Sequence, residues 1–240
     1  MPSLVSLDLS KAEFKKLWSG AVKGPVSRVT FSSVELADWK PLASLKDVEV
    51  IEWPSTTKMS VDIEPLRHLP KLSVLQLPVC RGDTDFSPLR DTPQLRSLSV
   101  FFAFEDAVNW ESIGSLKQLH YLEVHDAQKP FSAEALENLK ELVGLNLYGC
   151  QGLTDITALT KIPGLKYLDV MGCEDINDFS PLGRMKTLHG INVGGTRVSD
   201  VSFLRRLPHL RWISVEMCHD ISDRTPLQSF VQAGGTVVDE

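Results

Sequence analysis

The four cysteines of this 240-residue chain stand among small residues and acids, as in LYGCQGLTDITAL at 147–159, VMGCEDINDFSPL from Val170 and VEMCHDISDRTPL from Val215. Thiolates gathered with further donors hold zinc, and an exposed thiol of lowered pKa is a redox centre. Acids repeated along a chain raise the question of calcium, which needs six or more oxygens at one point. Elsewhere, Glu123 and Asp169 form a carboxylate pair of the kind inverting glycosidases use, and His125 beside Glu123 suggests acid–base chemistry. Which of these groups can meet depends on the elements that carry them.

Those elements repeat. The pattern L-x-x-L-x-L-x-x-(small), with its first leucine as position 1, fits at Val26, Val48, Leu72, Leu95, Leu119, Leu142, Leu165, Leu188 and Leu210. Successive intervals are 22, 24, 23, 24, 23, 23, 23 and 22 residues, so nine turns share one register. Apolar residues at a spacing of three precede each signature, as in Leu159, Ile162 and Leu165, which sends side chains inward all along the turn. Stacked turns that cover one another make a solenoid.

Over about residues 22–240 the sequence resembles the leucine-rich-repeat family, and its D-x-[ST]-[PA]-L element looks like the short-repeat subclass that includes the bacterial internalins. The resemblance implies an α/β fold: a right-handed horseshoe with a parallel sheet on the concave side and short helical or 3-10 turns on the convex side. The usual Asn at position 9 is missing. Thr56, Cys80, Cys150, Cys173, Thr196 and Cys218 stand there with Val34, Ala103 and Ala127.

The repeat gives the chemistry-bearing residues structural work. All four cysteines occupy position 9, where a small weak donor faces loop carbonyls inside the turn. Cys150 and Cys173 stack about one strand spacing apart, roughly 4.8 Å, but no histidine shares the slot, so no metal or redox role is expected. Asp38, Asp62, Asp85, Asn109, Ser132, Asp155, Asp178, Asp200 and Asp223 each lie four residues before an apolar Leu or Ile, in the place of a cap that opens the convex turn. One acid per turn cannot assemble a calcium shell. Gly149, Gly172 and Gly195 at position 8 let the chain leave the strand tightly, and the runs VGGT and AGGT lack the lysine of a phosphate loop.

Alternation along a strand turns positions 3, 5 and 7 outward. Position 3 runs Tyr121, Gly144, Tyr167, Gly190, Trp212 in the last five turns. Rings two strands apart stand roughly 9.6 Å from each other, which predicts slots over the glycines. Position 5 brings Glu123 and Asp169, and position 7 brings Phe101, His125, Tyr148, Met171, Pro78, Gly194 and Glu216. Rigidly presented aromatics are the residues most enriched at binding hot spots. The centre of the face is acidic and its margin basic, with Arg96, His120, Lys166, His189 and Arg211 at position 2.

Residues 1–21 are read as an N-terminal cap, with Ser10 and Glu13 opening a short helix; 22–229 as repeats; and 230–240 as a closing cap. Whether Leu4, Leu7 and Leu9 add an irregular strand is left open by the pattern. The first residues lack the basic start of a signal peptide, and no run of about 18 apolar residues suggests a membrane span. With no export signal, four cysteines fit reduced thiols in a cytoplasm. A net charge of −6 argues against nucleic acid.

The expectation is a monomeric, non-catalytic protein-binding module without cofactor. Its site is Tyr121, Glu123, His125, Tyr148, Tyr167, Asp169, Met171, Trp212 and Glu216, with Phe101, and its partner is a protein with a basic surface. A bacterial immunity protein that neutralises a toxin, or a secreted effector, is the alternative of the same kind. A hydrolase using Glu123 and Asp169 is the alternative of another kind, disfavoured because an open shallow surface does not raise a carboxyl's pKa.

Overall fold

The computed structural model describes residues 5–9, 26–31, 39–53, 58–81, 84–102, 108–127 and 132–239. They fall into two compact units, Met1–Leu119 and His120–Glu240. In the first, strands β1 (Val5–Leu9), β2 (Val26–Phe31), β3 (Val50–Glu52), β5 (Val74–Cys80) and β6 (Ser97–Phe102) pair in parallel, and the short β4 (Lys58–Met59) adds to β5. In the second, β7 (Tyr121–His125), β8 (Gly144–Asn146), β9 (Tyr167–Asp169), β10 (Gly190–Asn192), β11 (Trp212–Ser214) and β12 (Thr236–Val238) do the same.

From β7 to β11 every strand begins at position 3 of its signature, and equal positions lie side by side: Tyr121, Gly144, Tyr167, Gly190 and Trp212 form one row. Positions 4 and 6 point inward. Leu122, Leu145, Leu168, Ile191 and Ile213 are buried, as are Val124, Leu147, Val170, Val193 and Val215. The first unit adds aromatic packing, with Phe31, Trp39 and Trp53 stacked at centroid distances of 4.0–5.9 Å.

One stretch departs from the expected alternation. The β5–β6 register shifts between Gln76 and Val79, so Val79 rather than Pro78 stands opposite Phe101. An extra residue in one strand of a pair turns the following side chains over, and Pro78 is accordingly buried where an outward position was expected.

The returns between strands in the second unit are 3-10 turns at Ala133–Leu136, Thr157–Lys161, Ser180–Arg184 and Ser202–Arg206, and the last is the helix α1 (Thr225–Gln232). The acids are caps, as expected. Oδ1 of Asp62, Asp85, Asp155, Asp178, Asp200 and Asp223 accepts the amide two residues on at 2.7–3.0 Å, and Ser132 Oγ does so from Glu134. Asn109 is the exception. It sits in the left-handed region (φ 58°) and donates its Nδ2 to Asp85 Oδ1 at 2.8 Å instead. Asp38 and the Ser10/Glu13 helix lie outside the described residues.

At the N-terminus the open question resolves to a strand, since β1 pairs along β2. The C-terminal segment closes its unit with the end of α1 and with β12 on β11. Among the described residues no helix is long and apolar enough to cross a membrane.

The caps predict a pH dependence. Hydrogen bonds hold three carboxyls below their usual value: Asp85 chiefly through Asn109, Asp155 and Asp223 through the threonines two residues on. Such a group stabilises the folded chain above the unfolded carboxyl pKa of about 3.9, and that contribution is lost as pH falls through the lower folded value. The melting temperature is expected to fall on acidification below about pH 4, less steeply in D155N. Identical acid limbs for D155N and wild type would contradict this role.

Candidate functional site

In the second unit the row at position 3 carries the face. Tyr121 and Tyr167 are 56% and 46% exposed, and Tyr148 at position 7 is 40% exposed. The rings do not leave slots over the glycines. A Cβ on Gly190 would meet Trp212 Nε1 at 2.3 Å, and one on Gly144 would meet Tyr121 Cδ1 at 2.9 Å. The Tyr121 and Trp212 rings therefore lie across their neighbouring glycines, because flat apolar rings gain contact by covering bare backbone. The glycines are the beds of the rings, and Gly190 is buried for that reason.

Position 5 has a structural duty that the sequence reading missed. Asn146 Oδ1, Asp169 Oδ1 and Asn192 Oδ1 each accept the amide of position 7 at 2.9 Å, from Tyr148, Met171 and Gly194. Ser214 makes a longer version with Glu216, at 3.5 Å, and donates its hydroxyl to Glu216 Oε2 at 3.0 Å. These are side-chain turns that steer the chain out of each strand. The signal was present as Asn, Asp or Ser recurring two residues before position 7.

Asp169 also accepts from Asn192 Nδ2 at 3.0 Å, so both its oxygens are engaged. Glu123 Oε1 lies 2.9 Å from His125 Nε2, and that ring packs on Tyr148 with centroids 5.2 Å apart. Glu123, His125, Tyr148 and Asn146 thus form one connected group, with Asn146 Nδ2 3.4 Å from the same imidazole nitrogen. Met171, on the next turn, and Glu216, two turns further on, are half-buried along position 7. Phe101 belongs to the first unit, where it is half-buried opposite Val79.

Position 8 is left-handed in all five turns. Gly149, Gly172 and Gly195 have φ of 64°, 72° and 61°, as expected of glycine, but Asp126 and Met217 hold the same conformation at φ 58°. A Cβ on Gly149 would lie 2.5 Å from Asp126 Oδ1, so a larger residue there would have to displace that carboxylate as well as hold a left-handed backbone.

The cysteines are interior. All four are buried and free. Cys150, Cys173 and Cys218 donate across turns to the carbonyls of Val124, Leu147 and Val193 at 3.5, 2.9 and 3.1 Å, and Thr196 reaches Val193 from the same slot at 2.6 Å. Cys80 differs: it bonds within its own turn, to Pro78 at 3.3 Å, beside the local shift in register. Burial pushes the thiols of Cys80 and Cys150 up to about 12, and raises that of Cys173 too. Among the described residues no three His, Cys, Asp or Glu side chains gather as metal ligands. Val34, Thr56 and Ala103 of this slot lie outside the described residues.

Comparison with known proteins gives the fold its name. Neither a protein-family model nor a curated protein sequence matches the chain. Among solved structures, the internalin InlF of Listeria monocytogenes superposes with a TM-score of 0.73 at 23% identity, covering 89% of this chain and 60% of that one. The functional domain of InlJ from the same organism, which includes a cysteine ladder, gives 0.52 at 13% identity, over 90% and 48% of the two chains. The structure of PEPR1–AtPEP1 gives 0.60 at 16% identity, over 90% and 31%. The chain thus spans about 60% or less of the length of these structures. It has the leucine-rich-repeat solenoid fold, of the internalin-like kind.

Because only the thiolate reacts readily and burial suppresses it, none of the four cysteines should react with a small disulfide reagent at pH 8 in the native state, and all four should react in guanidinium. A rapidly reacting native thiol would overturn the interior assignment.

Proposed function

We propose that this chain is a non-catalytic protein-binding module whose recognition surface is the sheet face of the second unit. The observation that carries the reading is the presence of three exposed tyrosines on one face, with Trp212 laid on Gly190 beside them. An aromatic side chain brings about 150–250 Å² to a contact and orders few torsions in doing so. Here the neighbouring polar groups are already held by hydrogen bonds to the backbone, which reduces the entropy lost on association.

The partner is a protein with a basic projection. Glu123, Asp169 and Glu216 stand among the rings, and a Lys or Arg meeting them also finds ring faces for cation–π contact. A toxin-neutralising protein acting on a basic toxin is one form of this chemistry. A reducing cytoplasm is the setting proposed, in keeping with four free thiols. The hydrolase alternative gains no support from Asp169, whose two oxygens are committed to Met171 and Asn192.

Replacing Tyr121 and Tyr167 together by Ala tests the proposal. Loss of a hot-spot ring costs about 2 kcal/mol or more, so affinity for the partner isolated on the wild-type protein should fall about 30-fold or more. The melting temperature should stay nearly unchanged, since both rings are exposed. Unchanged affinity would refute the face as the site.

A further inference from the structure

A cavity of about 400 Å³ opens between the 3-10 turn Ser202–Arg206, the approach to β11 and the end of α1. Its size lies in the range of small-molecule sites, roughly 300–1,000 Å³. Arg205, His209 and Arg211 line it together with Pro208, Pro226 and Phe230, and no carboxylate does. That is unusual in a chain of net charge −6.

Neither arginine is tied down by a close contact, although Arg205 lies within electrostatic reach of Asp223 outside the cavity. Elsewhere in this unit Lys161, Arg197 and Arg224 reach Glu137, Glu174 and Asp239 at 2.5, 3.8 and 2.7 Å. Arg205 and Arg211 make no ion pair and no side-chain hydrogen bond among the described residues. Nor are they needed to finish the helix. The last carbonyls of α1 are already taken, Ser229 by Ala233, Phe230 by Gly235 and Val231 by Gly234 at 2.9–3.1 Å.

The walls are fixed in advance. The Phe230 ring lies against Gly235, where a Cβ would come within 2.3 Å of its Cζ. The His209 ring stacks on His189 at 6.0 Å, and His189 Nδ1 is held 2.7 Å from the Thr187 carbonyl. Two guanidiniums outside any ion pair, in a cavity with no carboxylate in its wall, beside a ring and two prolines fit a carboxylate or similar head on an apolar body. Arginine takes such a head through two parallel hydrogen bonds.

We propose that this cavity is a binding site for a small organic anion, held by Arg205 and Arg211 with its apolar part against Phe230. The site is lined by other residues than the tyrosine face, and the two meet only through the His189 ring, which packs on Tyr167 as well as on His209.

Benzoate, its neutral counterpart benzamide and inorganic phosphate serve as probes, titrated into the full chain with the amide signals of Gly234 and Gly235 and the His209 ring followed by nuclear magnetic resonance. Benzoate should give saturable shifts there and bind at least about ten-fold more tightly than benzamide. R205A and R211A should each weaken benzoate about ten-fold, and K161A, on the return Thr157–Lys161 away from the cavity, should leave it unchanged. Equal binding of benzoate and benzamide, or no loss in either arginine variant, would overturn the proposal. Phosphate binding as tight as benzoate would do so too, because it would remove any role for the apolar wall.

Discussion

The structure depends on one recurring interaction, a carbonyl shared between turns. The carbonyl of position 2 accepts two amides of the next turn: His120 from Val143 and Gly144, Val143 from Lys166 and Tyr167, Lys166 from His189 and Gly190, His189 from Arg211 and Trp212. Each turn is thereby fixed to its predecessor at one residue of register. A slip of one would turn the buried Leu, Ile and Val of these strands outward and Tyr121 and Tyr167 inward.

With that register fixed, the two sides of the strand do different work. Inward, the leucines and the position-9 thiols fill the coil, and the thiols of Cys150, Cys173 and Cys218 donate to carbonyls of the preceding turn. Outward, the polar residues of position 5 turn the chain and also display themselves. Asp169 shows the economy of this: the same carboxylate shapes the strand exit, bonds Asn192 and stands between Tyr167 and Met171 in sequence. A charge held in this way is presented in one orientation, as a recognition surface requires.

The period, the inward leucines, the cap acids and the outward row of tyrosines were all legible in the sequence, because alternation and a fixed repeat leave one solution. What stayed hidden depended on side-chain direction and local backbone. Nothing in Gly-x-…-Trp spacing says that Trp212 lies down on Gly190 rather than standing beside it. The extra residue that buries Pro78 is invisible when turns vary between 22 and 24 residues anyway. Asn109 looks like the aspartates of its column until its left-handed backbone reverses its part from acceptor to donor. The arginines of the C-terminal cavity come from a turn and a strand margin, and only the returning helix makes them neighbours of Phe230.

The most direct test of the tyrosine face is positional cross-linking. A photoreactive phenylalanine at Tyr167 on the face, compared with one at Lys161 on the opposite return of the same unit, reports which side a bound partner covers. Efficient cross-linking from 167 and little from 161 is the predicted result; cross-linking from 161 alone would contradict the account.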